Sequence, residues 1–295
     1  MRAVARHWLA AACFALPGML PTIAAAADPT AHSAVTSFNI STPRGNVKIH
    51  AHFPEQASAG PVWVVMHGLK RNAETYFKAW LPYARERGAL LLAPEFDKAN
   101  WPGSWRYQFG NVMTAAGETV AVEEQAFSVI DQAVDEGTRL AGRPGGANAF
   151  ALYGHGAGAQ FVQRYVLHTG GKRLSLAVAA NAGWYMLPDD GFEFPYGLRN
   201  MQLPESTLRN AFAAPFVLLL GQDDVRTDGV IRRNGQTNAQ GPHRLARGRF
   251  YFERAIAAAQ RIGVPLQWRL HEVAGAGHRE GSMMPAAVAE MMAAP

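Results

Sequence analysis

The sequence predicts an α/β fold, in which a mostly parallel sheet carries helices on both faces and follows an N-terminal antiparallel hairpin. Apolar runs that suit strands buried on both faces alternate with helix-like segments through most of the 295-residue chain. Parallel neighbours need long crossovers, usually helical, so this alternation favours a parallel sheet. The length suits one large domain with a substantial core.

The first 27 residues are typical of a secretory signal peptide. Arg2 and Arg6 precede an apolar run, and small residues leading up to Ala27 suit cleavage. The apolar run is interrupted by proline and glycine, and it is shorter than the ~20 apolar residues of a membrane span. We therefore expect a secreted or periplasmic protein without a membrane span, whose folded domain comprises residues 28–295.

Charge and cysteine content narrow the class of protein further. The only cysteine, Cys13, lies in the predicted signal peptide, so the exported domain is expected to fold without disulfides. Loss of Arg2 and Arg6 lowers the formal net charge from +5 to +3. A charge of this size gives no reason to expect nucleic acid as a partner.

The predicted strands are short apolar or alternating segments bounded by turn residues. Two alternating segments joined by the turn TPRG form the hairpin, and VWVVM is a near-continuous apolar run. The predicted strands are Ala34–Ile40, Asn46–Phe53, Val62–Met66, Leu90–Ala93, Ala149–Tyr153, Leu174–Asn181, Pro215–Leu220 and Leu266–Val273.

The segments between these strands provide the helices and two long loops. The predicted helices are Glu74–Arg87, Glu118–Leu140, Ala157–His168, His243–Ile262 and Gly281–Met292. Residues 97–112 are rich in tryptophan and glycine, and residues 183–214 contain three prolines, so we expect irregular structure in both.

Residues suited to chemistry follow four of the predicted strands, the first being HGLKRNAETY after Met66. The run GHGAGAQ comes after Tyr153, Asp223 and Asp224 come after Leu220, and His278 comes in the turn AGAGH after Val273. The carboxyl ends of parallel strands meet at one edge of a sheet, where α/β proteins bind their ligands. We therefore expect these residues to form one site.

The order of these residues resembles the α/β-hydrolase superfamily, nearer its esterases and polyhydroxyalkanoate-depolymerase-like members than its lipases. The resemblance covers nearly the whole exported domain. In that superfamily the turn is G-x-S-x-G, and an acid and a histidine follow later in the chain. Gly154 and Gly158 match the outer glycines, whereas Gly156 stands where the serine is expected. The resemblance implies carboxylic ester hydrolysis by a Ser-His-Asp triad.

The resemblance also assigns the remaining positions. The acid of the superfamily follows its strand as G-x-x-D, which favours Asp224, and the late histidine corresponds to His278. The sequence HG after Met66 resembles the oxyanion loop. The oxyanion-hole amides are therefore expected at Leu69 and Ala157, where two aligned N–H groups would stabilise a developing negative charge.

A competing interpretation of GHGAGAQ is a dinucleotide-binding loop. Gly154, Gly156 and Ala159 fit G-x-G-x-x-A after a strand and before a helix. That fingerprint needs an acidic residue at the end of the next strand, about 20 residues on. No aspartate or glutamate occurs between Glu136 and Asp189, so we reject this interpretation.

A metal site is also not expected. His50 and His52 lie two residues apart on a predicted strand and so share one face of the sheet. No third candidate ligand lies near them in the sequence, and zinc sites need three or four protein ligands. We interpret both histidines as structural, and we expect the protein to use no metal and no organic cofactor.

The glycine at the nucleophile position leaves the fold intact but changes the expected chemistry. Glycine adopts the strained turn easily, but without an Oγ no acyl-enzyme can form. Activity is therefore expected to be lost or weak, with water activated by His278 and oriented by Asp224. The alternative is a protein that binds ligands in the same cleft without turnover. Ser104 is the only other serine placed to approach the site from an aromatic loop.

Aromatic residues after two strand ends suggest how a substrate would be held. Trp105, Trp184 and Tyr185 are the predicted substrate contacts, and they favour an apolar, small or oligomeric ester. Most other aromatic residues of these loops are expected to pack against the protein itself.

A basic stretch follows the predicted acid. It consists of Arg226, Arg232, Arg233, Arg244, Arg247, Arg249 and Arg254. Arginines bind carboxylates and phosphates well, although a helix often carries such a run on its solvent face. The stretch leads to the hypothesis of an anionic substrate.

Overall fold

The computed structural model describes residues 34–55, 60–143 and 149–294, so the predicted signal peptide lies outside the described residues. The described residues contain one eight-stranded sheet. Its strands are β1 (Ala34–Thr42), β2 (Gly45–Phe53), β3 (Val62–Met66), β4 (Leu90–Glu95), β5 (Phe150–His155), β6 (Leu174–Ala180), β7 (Phe216–Gly221) and β8 (Arg269–Val273).

The strand order is β1-β2-β4-β3-β5-β6-β7-β8. The hairpin of β1 and β2 is antiparallel, and β2 also pairs antiparallel with β4. From β4 to β8 every neighbouring pair is parallel. The predicted fold class is therefore confirmed, and the carboxyl ends of β3, β5, β6, β7 and β8 meet at one edge of the sheet.

Helices cover both faces of the sheet. They are α1 (Ala73–Arg87), α2 (Gly103–Arg106), α3 (Ala126–Leu140), α4 (Ala157–Thr169), α5 (Glu205–Ala213), α6 (Gly235–Gln240), α7 (Arg244–Arg261) and α8 (Glu280–Ala293). Side chains of β3 alternate between the two resulting cores. Val64 packs with residues of α3, α4 and α7, whereas Trp63 packs with residues of α1 and α8.

The helix predicted over Glu118–Leu140 is wrong in its first third. The α-helix α3 begins at Ala126, and before it Val122–Glu124 form a single 3₁₀ turn. The backbone of Thr119 pairs instead with Met113 in an isolated antiparallel bridge. Local backbone pairing with the preceding loop therefore replaces the first turns of the predicted helix.

Three helices were not predicted: α2 and α5, which lie in the two segments expected to be irregular, and α6. Glu205–Ala213, within residues 183–214, forms α5 directly after Pro204, with Glu205 in its first turn. Proline followed by an acid is a helix-start signal that was available in the sequence. The short α6 begins after Asn234, whose side chain and that of Thr237 form a reciprocal capping box. The last strand also begins later than predicted, at Arg269.

None of the helices in the described parts of the chain is both long and apolar enough to cross a membrane.

Substitution of Trp80 tests the contribution of packing between α1 and the sheet to stability. Its ring is fully buried and contacts Trp63 edge-on at 6.0 Å and Tyr153 at 4.5 Å between centroids. We expect Trp80→Ala to lower the free energy of unfolding by about 3–5 kcal/mol, because it leaves a large cavity. Urea denaturation measures this change. Val122→Ala, at a side chain 63% exposed, serves as the control and should change stability by less than about 0.5 kcal/mol.

Candidate active site

The turn between β5 and α4 is built on glycine backbone. A Cβ on Gly154 would lie 2.3 Å from the carbonyl carbon of Gly158, and one on Gly158 would lie 2.5 Å from the carbonyl oxygen of Met66. These approaches are closer than any side chain allows, so both outer glycines of GHGAGAQ are required sterically. They bring the start of α4 against the ends of β3 and β5.

Gly156 lies at the apex of this turn, with φ +58° and ψ −107°. Its conformation is unfavourable for residues that carry a Cβ. The space around it is nevertheless open. A Cβ built there would have only the Cε1 and Nε2 atoms of His278 within 4 Å, both at 3.9 Å. The position expected for a nucleophile therefore faces His278.

His278 and Asp224 form a directly bonded pair. The Nδ1–H of His278 donates to Oδ2 of Asp224 over 2.9 Å. Asp224 is 1% exposed, and its Oδ1 accepts from Nη1 of Arg244 at 3.3 Å. A buried carboxylate needs such partners to remain charged. The pair fixes His278 with Nε2 directed toward the space above Gly156.

Asp223, the neighbour that the sequence analysis set aside, has a different role. Its side chain is exposed and its backbone N–H donates to the carbonyl of Ala276 at 2.9 Å. It lines the cleft but makes no hydrogen bond to His278 among the described contacts. The geometry thus brings His278 together with Asp224, the residue that the resemblance to the superfamily favoured.

His67 orders the loop that follows β3. The backbone N–H of Phe96 donates to its Nε2 at 3.1 Å, so the proton of the neutral ring lies on Nδ1, 3.0 Å from the carbonyl of Gly68. Burial lowers the pKa of His67 to about 3, which keeps the ring neutral. Tyr107 adds a hydrogen bond from its hydroxyl to the His67 carbonyl at 2.6 Å. These contacts hold the adjacent Leu69 backbone in place.

The amides of Leu69 and Ala157 are available as oxyanion donors. Ala157 is the first residue of α4, so its N–H has no partner within the helix. Neither amide donates a hydrogen bond in the described residues, and both residues line the same cleft as Gly156 and His278. The positive end of the α4 dipole further favours negative charge at this point.

His155 lies directly behind His278. The two rings are 5.1 Å apart between centroids. Burial, followed by the proximity of His278, lowers the pKa of His155 to about 3. His155 therefore stays neutral at physiological pH and does not compete with His278 for the proton of a reacting group.

The cleft above these groups has a volume of about 1010 Å³. Of the three predicted substrate contacts, Trp184 lines the cleft, whereas Trp105 and Tyr185 are not among its lining residues. Tyr185 is fully buried and stacks on Tyr251 at 4.5 Å between centroids. Trp105 packs against Phe109. Packing within the protein accounts for both of these side chains without a ligand.

The cleft includes two serines, neither arranged as a substitute nucleophile. The Oγ of Ser104 accepts from Nε2 of Gln108 at 3.1 Å. The Oγ of Ser282 donates to the carbonyl of Arg279 at 2.7 Å, as expected near the start of α8. His278 makes no hydrogen bond to either serine among the described contacts.

Solved structures share this arrangement of the chain. A poly(aspartic acid) hydrolase from Sphingomonas sp. KT-1 superposes with a TM-score of 0.83 and 32% identity, over 87% of this chain and 98% of that one. The chain belongs to the α/β-hydrolase superfamily. A poly(3-hydroxybutyrate) depolymerase from Bordetella parapertussis superposes with a TM-score of 0.80 and 31% identity, over 88% and 89% of the two chains.

More distant structures support the fold alone. An S-formylglutathione hydrolase from Staphylococcus aureus matches with a TM-score of 0.53 and 17% identity, over 88% of this chain and 97% of that one. No protein-family model and no curated protein sequence matches the chain.

Arg244 is a site residue of this α/β-hydrolase that sequence reasoning did not identify. It appeared only as one of seven arginines expected on a solvated surface or near an anionic ligand. In the structure it lies at the first position of α7, where it pairs with Asp224, while the N–H of Leu245 approaches the Asp224 carbonyl at 3.3 Å. No sequence signal distinguishes Arg244 from its basic neighbours.

The two kinds of glycine in the turn predict different stability effects. Gly156→Ala adds a Cβ in open space, so the cost is the backbone strain of positive φ, about 1–2 kcal/mol. Gly158→Ala forces a Cβ against the Met66 carbonyl, so the loss should be clearly larger. Thermal unfolding of both variants provides the comparison. Equal losses would contradict the steric role assigned to Gly158.

Proposed function

We propose that this chain is an α/β-hydrolase-fold protein that binds an oligomeric or polymeric acyl substrate and hydrolyses it weakly or not at all. One observation carries the proposal. His278, Asp224 and two free amides surround Gly156, and a Cβ there would point at His278 Nε2 from 3.9 Å. These are the groups that a serine at position 156 would use in covalent catalysis.

The remaining groups support a direct attack by water. His278 Nε2 would take a proton from a water molecule above Gly156, and the water oxygen would attack the carbonyl carbon of the substrate. The amides of Leu69 and Ala157 would stabilise the resulting oxyanion. The imidazolium would then protonate the leaving group. In a serine protease, loss of the nucleophile costs about a millionfold in rate, yet roughly a thousandfold over water survives.

The comparisons support a polymer as the class of substrate. Among the structures more than 30% identical to this chain, one is described as a poly(aspartic acid) hydrolase and another as a poly(3-hydroxybutyrate) depolymerase. A cleft of about 1010 Å³ with Trp184 in its wall fits several repeat units. Export to the periplasm or the medium, proposed from residues 1–27, would suit a substrate of this size.

Charge around the cleft supports an anionic substrate. Lys70, Arg232 and Arg279 line the cleft and are exposed, and none of them pairs with a carboxylate among the described contacts. Four other arginines of the basic stretch each pair with a carboxylate: Arg226, Arg244, Arg249 and Arg254. Arg249, for example, pairs with Glu272 at 2.6 Å. These three cations outnumber the one exposed carboxylate of the cleft without a salt-bridge partner among the described contacts, that of Asp223, so the cleft presents net positive charge toward its ligand.

Gly156→Ser tests the assignment of the site. We expect it to raise the hydrolysis of short p-nitrophenyl esters by several orders of magnitude, because serine restores covalent catalysis. Initial rates with the purified exported domain measure the gain. The control is Gly156→Ser combined with His278→Ala, which should lower the rate to that of the unchanged chain or below it.

Equal inactivity of the unchanged chain and Gly156→Ser on esters and amides would contradict hydrolysis at this site. The protein would then be interpreted as a ligand-binding member of the superfamily. A residual rate in the unchanged chain that survives His278→Ala would contradict the water mechanism.

The charge hypothesis predicts tighter binding of anionic oligomers. Aspartate oligomers should bind at least tenfold more tightly than asparagine oligomers of equal length at low salt, and the difference should shrink as salt screens the charges. Calorimetric titration measures both. Arg279→Gln should reduce the preference, whereas Arg209→Gln on α5, where Arg209 pairs with Glu205, should leave it unchanged. Equal binding of both oligomers would rule out an anionic preference.

A further inference from the structure

Asn181 follows β6 directly and is one of three non-glycine residues with positive φ in the described chain. Its φ is +50°, and the residue is 1% exposed. Asparagine tolerates this left-handed conformation better than most residues, but the conformation still costs free energy. A buried residue that retains it must make interactions that compensate.

Both the oxygen and the nitrogen of the Asn181 side-chain amide form hydrogen bonds. Its Oδ1 accepts from the backbone N–H of Gly221 at 2.8 Å, and its Nδ2 donates to the carbonyl of Gly277 at 2.9 Å. The partners fix which end is oxygen, because Gly221 offers a donor and Gly277 an acceptor. Gly221 ends β7, three residues before Asp224, and Gly277 immediately precedes His278.

The side chain therefore adds a link where the strand pairing has ended, beside the backbone hydrogen bond from the Asp223 N–H to the Ala276 carbonyl. The β7–β8 ladder ends where Gly221 pairs with Val273, so the acid and histidine turns lie beyond the last paired residues. The adjacent carbonyl of Ala180 accepts from the N–H of Gly156 at 3.0 Å. Residues 180 and 181 thus contact all three turns that form the site.

We propose that Asn181 is a positioning residue, whose amide links the acid turn to the histidine turn and thereby holds His278 against Asp224. The inference rests on the proposed function only in taking these two residues as the reacting pair. Asn181 touches neither of them, so its effect passes through Gly221 and Gly277. A displacement of about 1 Å at a reacting group can cost a hundredfold in rate.

A nuclear magnetic resonance experiment tests this role without requiring turnover. The hydrogen-bonded Nδ1 proton of His278 gives a low-field signal, which is assigned by its disappearance in His278→Ala. We expect Asn181→Gly to abolish or broaden this signal while the protein remains folded, because glycine accepts the positive φ but breaks both links. Asn181→Asp, which keeps the acceptor for Gly221 and loses the donor to Gly277, should also weaken it.

Asn111 provides a matched control. It has φ +53°, is 1% exposed and also uses both ends of its amide, with bonds to Arg106 and to the Glu124 carbonyl. Asn111→Gly should lose comparable stability in a thermal melt and leave the His278 signal unchanged. An intact His278 signal in Asn181→Gly, or its equal loss in Asn111→Gly, would overturn the proposal.

A kinetic measurement in the Gly156→Ser background extends the test. Adding Asn181→Gly should lower kcat by about tenfold or more with little change in KM, since only the alignment of the catalytic pair is disturbed. An unchanged kcat would also overturn the proposal. Failure of Gly156→Ser to gain activity would instead contradict the proposed function and leave the resonance result unaffected.

Discussion

The close approach of α4 to the end of β3 is the constraint on which the site depends. Gly158 rests on the carbonyl of Met66 at a distance that no side chain permits. This contact sets where α4 begins, and so it places the Ala157 amide and the Gly156 apex. The loop after β3 passes close to the Gly156 apex, and hydrogen bonds of His67 with Phe96 and Tyr107 fix its position. Backbone packing thus places the Ala157 side of the site, and the hydrogen bonds of His67 place the Leu69 side.

Charge is distributed unevenly around that point. Arg164 lies fully buried beneath Trp184, with its guanidinium 4.4 Å from that ring and bonded to the carbonyls of Gln160 and Pro195. Burial lowers its pKa to about 9, so it remains charged at neutral pH. Arg232 approaches the same ring at 5.4 Å. Trp184 is therefore polarised by two cations, which adds positive potential to the wall of the cleft.

The sequence was sufficient for features that depend on local pattern and chain order. Strand periodicity predicted the sheet, and the positions of Gly156, Asp224 and His278 after strand ends predicted their meeting. It was insufficient where distant residues decide the outcome. Arg244 and Asn181 acquire their partners, Asp224 and the backbones of Gly221 and Gly277, only in the folded chain. Tyr185 is a further example. The sequence pattern of an aromatic residue after a strand is the same whether the side chain lines a cleft or packs in the core.

The positive φ of Gly156 has a consequence for how stability and activity relate in this fold. Hydrolases hold their nucleophile in a strained turn, so improving the stability of that turn and preserving turnover are opposing demands. Glycine is the one residue for which the turn carries little strain. In this chain the apex is a glycine, so under the proposed function the side chains of the surrounding wall contribute to affinity while the turn itself carries little strain.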